Sequence, residues 1–365
     1  MSCRQRALVL AAFLVLGGLA SPRDAAADEG GRSCGGGHRR PPAVIFDTDM
    51  DFDDSAALAY LCAEHHRGNI ELRAVTIEND GAGIPGSAIR HARCILSACG
   101  LTSVPVADGG PTVGGHAVAP ELQGAVEAVL EGAFASCTEG VQAGPMSAGE
   151  LLTRTIRNTD DPIIIATGPL TNLAAVLRDE HGHGSHLAER IAQVVVMGGA
   201  FDVSGNLLGS GTESFDDTQE VNVWVDPAAF QTVLSAMRPE LVSIVPLDAT
   251  AFVPVTSAYV ARLAADQHTA EAAIVLSIVT QPITQFGISL GAFYWWDPLA
   301  AIAATQPEHH VVDFRLERVS VVTDLTAASS GRTYVSRRGV PALVGVSANT
   351  TAFENIFLDG LNQRD

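Results

Sequence analysis

Lysine is absent from the 365 residues, and all 22 basic residues are arginine. Schiff-base catalysis, a P-loop lysine and a lysine general base are thereby excluded. Positive charge is scarce altogether. Asp and Glu number 41, and the formal net charge is −19. Such an acidic surface argues against nucleic acid or an anionic membrane as partner. It suits a small uncharged substrate and bound cations. No C-x-x-C pair is present, so neither a zinc ribbon nor a redox motif is indicated. After residue 27 no apolar run is long enough to span a bilayer. Oligomeric state is left open, a homo-oligomer being one option.

Arg4 and Arg6 precede an apolar stretch over 7–20 and then Ala25-Ala26-Ala27. This pattern predicts an export signal at 1–27, cleaved after Ala27, and hence a secreted or periplasmic protein. Residues 28–42, rich in Gly, Arg and Ser and ending in Pro41-Pro42, read as a disordered leader. Residues 43–365 read as one domain. Cys34, Cys62, Cys94, Cys99 and Cys137 remain after cleavage. Export permits disulfides, but their pairing is not legible, and the odd number leaves at least one cysteine unpaired or intermolecular.

From residue 43, short Val/Ile-rich runs alternate with helical patterns. Strands are expected at 43–46, 70–77, 162–166, 191–197, 241–246 and 315–322. Helices are expected at 55–64, 85–98, 149–157, 170–178, 255–265, 270–286 and 298–304. This alternation predicts an α/β fold, a single open and mainly parallel sheet with helices on both faces. The polar insert at 202–219 reads as a long binding loop. The run from His181 to His186 is glycine-rich and lacks a Cys or carboxylate partner at tight spacing, so it reads as a solvated loop rather than a zinc site.

In open parallel sheets, ligands bind beyond the carboxyl ends of the strands. The first strand runs into Asp47-Thr48-Asp49-Met50-Asp51-Phe52-Asp53-Asp54, five carboxylates within eight residues. Like charges that close raise one another's pKa unless a cation intervenes. All-oxygen donors select Ca²⁺ or Mg²⁺ over zinc. Helix capping by Asp53 or Asp54 accounts for one or two of the five. The glycine and terminal glutamate of an EF-hand loop are missing.

Five segments together resemble the nucleoside hydrolases that prefer inosine and uridine or purine nucleosides. Asp47, Asp49, Asp53 and Asp54 match D-x-D-x-x-x-D-D. Thr167-Gly168-Pro169-Leu170-Thr171-Asn172 is similar to the T-G-x-L-T-N turn. Met197-Gly198-Gly199, Glu220-Val221-Asn222 with Asp226-Pro227, and Asp297-Pro298-Leu299 follow in the family's order. The resemblance covers roughly 43–360 and implies the Rossmann-like nucleoside hydrolase architecture. It also implies a Ca²⁺ held by Asp49, Asp54, the carbonyl of Thr167 and Asp297. Asp49 would be the general base toward a calcium-bound water that attacks the anomeric carbon with inversion. Asp53, Asn79, Asn206, Glu220 and Asn222 would hold ribose, and Asp47 would lend support. His116 and Trp296 would face the base.

Two departures stand out. Pro-Gly usually follows the second Asp of the motif, whereas Met50-Asp51 stands here, and Asp51 has no assigned role. Trp296 replaces a leaving-group histidine, as in purine-preferring members, so purine nucleosides are favoured. A core position in the run Phe293-Tyr294-Trp295-Trp296 is the bland alternative for that tryptophan.

Two rivals are weaker. A haloacid-dehalogenase-type phosphatase also opens with Asp-x-Asp, but it requires a lysine and a Thr or Val where Met50-Asp51-Phe52 stands. A calcium-dependent nucleoside- or sugar-binding protein without turnover would not need the candidate base Asp49.

Overall fold

The strand at the centre of the fold, β1 (Ala43–Thr48), is buried at all six residues. Val, Ile and Phe on both of its faces explain why: a strand covered by helices above and below reads as a continuous apolar run. β1 pairs in parallel with β2 (Glu71–Ile77) on one side and with β4 (Ile163–Ala166) on the other. β3 (Val106–Asp108) extends the sheet beyond β2, and β5 (Gln193–Met197) and β6 (Val242–Val245) extend it beyond β4, all in parallel. β9 (Val340–Ala348) joins β6 in parallel; β7 (Val312–Val321) lies antiparallel to β9, and β8 (Thr333–Val335) antiparallel to β7. The order is β3-β2-β1-β4-β5-β6-β9-β7-β8, one open, mainly parallel sheet. The computed structural model describes residues 40–110, 115–140, 144–183, 186–207, 216–287 and 289–363. The expected export signal, nearly all of the leader, Cys34 and the middle of the 202–219 insert lie outside the described residues.

Helices Phe52–His66, Ala270–Phe286, Trp296–Thr305 and Thr350–Leu361 cover one face, and Ala148–Asn158, Thr171–His183 and Pro227–Ala236 cover the other. Contacts cluster from Pro41 to Asp365 as one compact unit. No helix among the described residues is long and apolar enough to cross a membrane.

The sequence pattern did not indicate β9. It carries Pro341 and Gly345 inside its run, and either residue argues against a strand interior when read locally. Pro341 sits near the start of the strand, opposite Arg318 of the antiparallel neighbour.

Chain direction matters most at β1. From β1 the chain builds outward through β2 and β3, then crosses back to lay β4 on the opposite side. The crevice between the carboxyl ends of β1 and β4 is therefore the topological switch point, where open α/β sheets bind ligands. Asp47–Asp54 and Thr167–Asn172 both leave the sheet there.

Candidate active site

Asp47, the last residue but one of β1, is 1% exposed. Its Oδ1 accepts from the Thr76 hydroxyl at 2.6 Å and from Asn172 Nδ2 at 3.1 Å. Burial pushes this carboxyl up to about 6, against the lowering effect of those donors. Asp47 thus ties β1 to β2 and to the turn after β4. Glu78, fully buried at the end of β2, accepts from the Asn172 N–H at 2.7 Å.

Asp49 is enclosed by backbone. Its Oδ2 accepts from the Ala82 N–H at 2.5 Å. A Cβ at Gly81 would lie 2.0 Å from that same oxygen, one at Gly83 2.0 Å from the Asp49 carbonyl, and one at Gly168 2.9 Å from its nitrogen. Three glycines from two loops therefore let main chain close on this side chain. Burial first, then the charges of Asp54 and Asp51, hold Asp49 well above the usual carboxylate range. Met50 follows with φ 58° and no exposure. A proline cannot adopt that angle, so the departure from Pro-Gly gives this loop its own path.

Asp51 acquires a role here. It is the N-cap of helix Phe52–His66, its Oδ1 accepting from the Asp53 N–H at 2.9 Å while Asp54 Oδ2 accepts from its own N–H at 2.9 Å. This capping box corrects the expectation that Asp53 or Asp54 caps the helix. Capping leaves the carboxylate of Asp53 to face Asp297, whose N–H donates to Asp53 Oδ2 at 3.0 Å. Asp54 Oδ1 accepts from the hydroxyls of Thr48 and Thr167.

Asp51, Asp53 and Asp297 bring a carboxylate oxygen each within 4.8 Å of one another. Burial, followed by neighbouring carboxylates, raises Asp53 and Asp297 well above the usual range. Among the described residues no arginine or histidine ion-pairs with Asp47, Asp49, Asp51, Asp53, Asp54 or Asp297. Buried carboxylates with oxygen neighbours and no protein counter-ion fit a hard divalent cation. Of the expected ligands, Asp297 lies in this triad and Asp54 touches Thr167 through its hydroxyl. The Thr167 carbonyl accepts from Asn222 Nδ2 at 2.8 Å.

Glu220 is the N-cap of helix Val221–Val225. Its carboxylate accepts N–H bonds from Asn222 at 2.8 Å, Gly199 at 2.9 Å and Val223 at 3.1 Å. It therefore locks the Met197-Gly198-Gly199 turn to the segment bearing Asn222. Asn206 Oδ1 accepts from the Val221 N–H at 2.9 Å, which anchors one end of the insert beside the same helix. Asn79 donates to the Gly109 carbonyl at 2.8 Å, on the β3 side of the rim.

The two tryptophans separate cleanly. Trp295 is 1% exposed and packs on Tyr259 and Phe357 in the core. Trp296 is half-buried, with its ring centroid 6.0 Å from Phe52 and 5.5 Å from Tyr294. Phe52 in turn meets Phe293 at 4.9 Å. Trp295 is the fully buried core tryptophan, while Trp296 also packs against the core cluster and, half-buried, joins Phe52 and Tyr294 beside Asp297. His116 stacks on Trp224 at 4.6 Å, and its Nε2 lies 2.9 Å from the Ser330 hydroxyl. Gly81, Gly83 and Phe52 were missed from sequence. The Gly81-Ala82-Gly83 spacing after a strand was the available signal for a close backbone approach.

The buried, all-oxygen carboxylate cluster at the switch point of this open α/β sheet has a donor set that fits a hard cation. The comparisons narrow this. The model of the inosine-uridine preferring nucleoside hydrolases matches residues 44–355, and the chain belongs to that family. It is 31% identical over 226 residues to the pyrimidine-specific ribonucleoside hydrolase RihA of Enterobacter sp. (strain 638), covering 61% of this chain and 65% of that protein. The corresponding protein of Citrobacter koseri is 30% identical over 205 residues, covering 54% of this chain and 57% of that protein. The chain thus spans about two thirds or less of the length of these relatives. Among solved structures, the inosine-uridine preferring nucleoside hydrolase from Bacillus anthracis superposes with a TM-score of 0.74 at 22% identity, covering 88% of this chain and 99% of that one. The purine-preferring ribonucleoside hydrolase from Gardnerella vaginalis gives 0.67 at 20% identity, covering 88% and 98%. At such identities these superpositions establish the fold.

Proposed function

We propose that this protein hydrolyses the N-glycosidic bond of ribonucleosides, releasing free base and ribose, with calcium as cofactor. The observation that carries the reading is the convergence of Asp53 and Asp297 with Asp51 at the switch point, beside the buried Asp49 and Asp54. Asp49, Asp54, the Thr167 carbonyl and Asp297 are the assigned calcium ligands, with Asp51 and Asp53 alongside. Bound there, Ca²⁺ would orient a water and ribose hydroxyls and make that water more acidic.

The chain's own residues do the rest. Asp49 takes the proton of the attacking water as general base. The surrounding carboxylates oppose no negative charge on the sugar but favour the positive charge that develops on the ribosyl ring. Asp53, Asn79, Asn206, Glu220 and Asn222 are assigned to ribose, with Glu220 fixing the geometry of Asn222. Trp296, braced by Phe52 and Tyr294, offers a flat face to the base, which supports a preference for purines. His116 is assigned to the base. The names of the pyrimidine-specific relatives, at 30–31% identity, favour pyrimidines as the second reading. Residues 1–27 are read as an export signal, testable by sequencing the N-terminus of the released protein.

The test is a panel of inosine, adenosine, guanosine, uridine and cytidine, assayed for base and ribose with Ca²⁺ and with chelator. Release that depends on Ca²⁺ and is fastest with purines is expected. Binding without release would leave a calcium-dependent binding protein in place of a hydrolase.

A further inference from the structure

Cys62 lies within helix Phe52–His66, and Cys99 is the C-cap of helix Ser87–Ala98. Both are buried and carry free thiols, whereas Cys94, on the same second helix, is bonded to Cys137. Several contacts bring Cys62 and Cys99 together. His66 stands one turn beyond Cys62 on the same helix face, and its Nε2 lies 2.8 Å from the Cys99 carbonyl oxygen. Glu271 is 3.6 Å from that same His66 nitrogen and also bears on Cys62. The Cys99 thiol is near enough to that of Cys62 to act on it and, after burial, to help push it up. Both residues belong to one core cluster.

We propose that Cys62 and Cys99 are a second disulfide site, closed by thiol–disulfide exchange. The oxidant is a small-molecule or protein disulfide. In the folding chain, the deprotonated thiol of Cys99, which ends nearer the surface (7% exposed against 0% for Cys62), attacks one sulfur of the oxidant, and the expelled thiolate takes up a proton from solvent. Cys62 then attacks the mixed disulfide at Cys99, its proton leaving with the second expelled thiol. Two protein thiols are oxidised and one external disulfide is reduced to two thiols. Burial pushes the Cys62 thiol up, so the thiolate is scarce in the folded protein and the bond closes during folding. The ring so formed contains β2. It would tie the helix that carries Asp53 and Asp54 on its first turn to a helix that Cys94–Cys137 already staples.

The test refolds a Cys34→Ala chain in a buffer of oxidised and reduced glutathione, followed by alkylation without reduction, digestion and mass spectrometry. A linked pair of Cys62 and Cys99 peptides, split by reductant, is expected beside the Cys94–Cys137 pair. Recovery of Cys62 and Cys99 as alkylated peptides, or linked elsewhere, while Cys94–Cys137 is intact, overturns the proposal. A thermal measurement guards against a merely structural role. In the same background, Cys99→Ser should lower the unfolding midpoint by about 5 °C under oxidising conditions and by much less under reducing ones. Equal shifts in both would assign the effect to packing and refute the bond.

Discussion

The main-chain N–H of Asp297 donates to Asp53 Oδ2 at 3.0 Å, joining residues 244 positions apart in the chain. The contact seats the first turn of helix Trp296–Thr305 against the first turn of helix Phe52–His66. It also sets Trp296 beside Phe52. One hydrogen bond thus couples the acidic cluster to these aromatic rings.

Asp49→Asn keeps the side-chain size and the bond from Ala82 but removes the proton acceptor. Release of base and ribose should fall about 10²- to 10⁴-fold, with the far-ultraviolet circular dichroism unchanged. Turnover within a few-fold of the parent would reject Asp49 as the base.

Gly81→Ala places a methyl 2.0 Å from Asp49 Oδ2, whereas a Cβ at Gly110 meets nothing within 4 Å. Gly81→Ala should therefore cost at least about 10²-fold in kcat, since displacing a reacting group by an ångström has that effect. Gly110→Ala should leave kcat unaltered. Steady-state kinetics on both variants checks the contrast.

Asp51→Asn retains a neutral cap, so helix stability should change by only a few tenths of a kcal/mol, against about 1 kcal/mol for Asp51→Ala. Calcium affinity should fall in both, because each loses a carboxylate of the Asp51–Asp53–Asp297 triad. Denaturant unfolding in chelator, paired with calorimetric titration, separates cap from cation.

Trp296→Ala removes the face offered to the base while Trp295 keeps the core filled. The value of kcat/KM for inosine should fall about 10- to 100-fold, the worth of one stacked base. Uridine should lose less. Equal losses for both substrates would count against Trp296 as a selector.

His91 supplies a pH dependence. It is buried, with Glu127 3.2 Å from Nε2 and with Arg90 and Glu131 nearby; burial lowers its pKa despite the two glutamates. The unfolded chain, with an ordinary histidine, takes up its proton near pH 6.5, above the folded protein. The unfolded state then binds more protons, so this contribution to stability is present above about pH 6.5 and is lost as pH falls through the lower folded pKa. The buried carboxylates with raised pKa act in the opposite sense but are common to both proteins, so between about pH 7.5 and 5 the parent should lose melting temperature relative to His91→Gln; an unchanged difference across that range would reject the His91 contribution.

Much of the site was legible because its first half is local. Asp47, Asp49, Asp53 and Asp54 are close in space for any strand-to-helix turn, so an acidic cluster suited to a cation followed from spacing alone. The Val/Ile runs at β1, β2, β4, β5 and β6 likewise announced buried parallel strands. Contacts that depend on distant segments left no such mark. β9 was hidden by Pro341 and Gly345, which only its neighbours make tolerable. Which tryptophan faces the core was undecidable in a run of four aromatics, until Tyr259 and Phe357 enclosed Trp295.

The order of residues by itself determined the chemistry: acidic oxygens without lysine, on the loop of a parallel strand. Folding decided the assignments. It made Asp51 the cap, freed Asp53 to meet Asp297, closed three glycines around Asp49 and paired Cys94 with Cys137. The physical reason is that charge and hydrophobic periodicity act over a few residues, while packing and hydrogen bonding select partners across the whole chain.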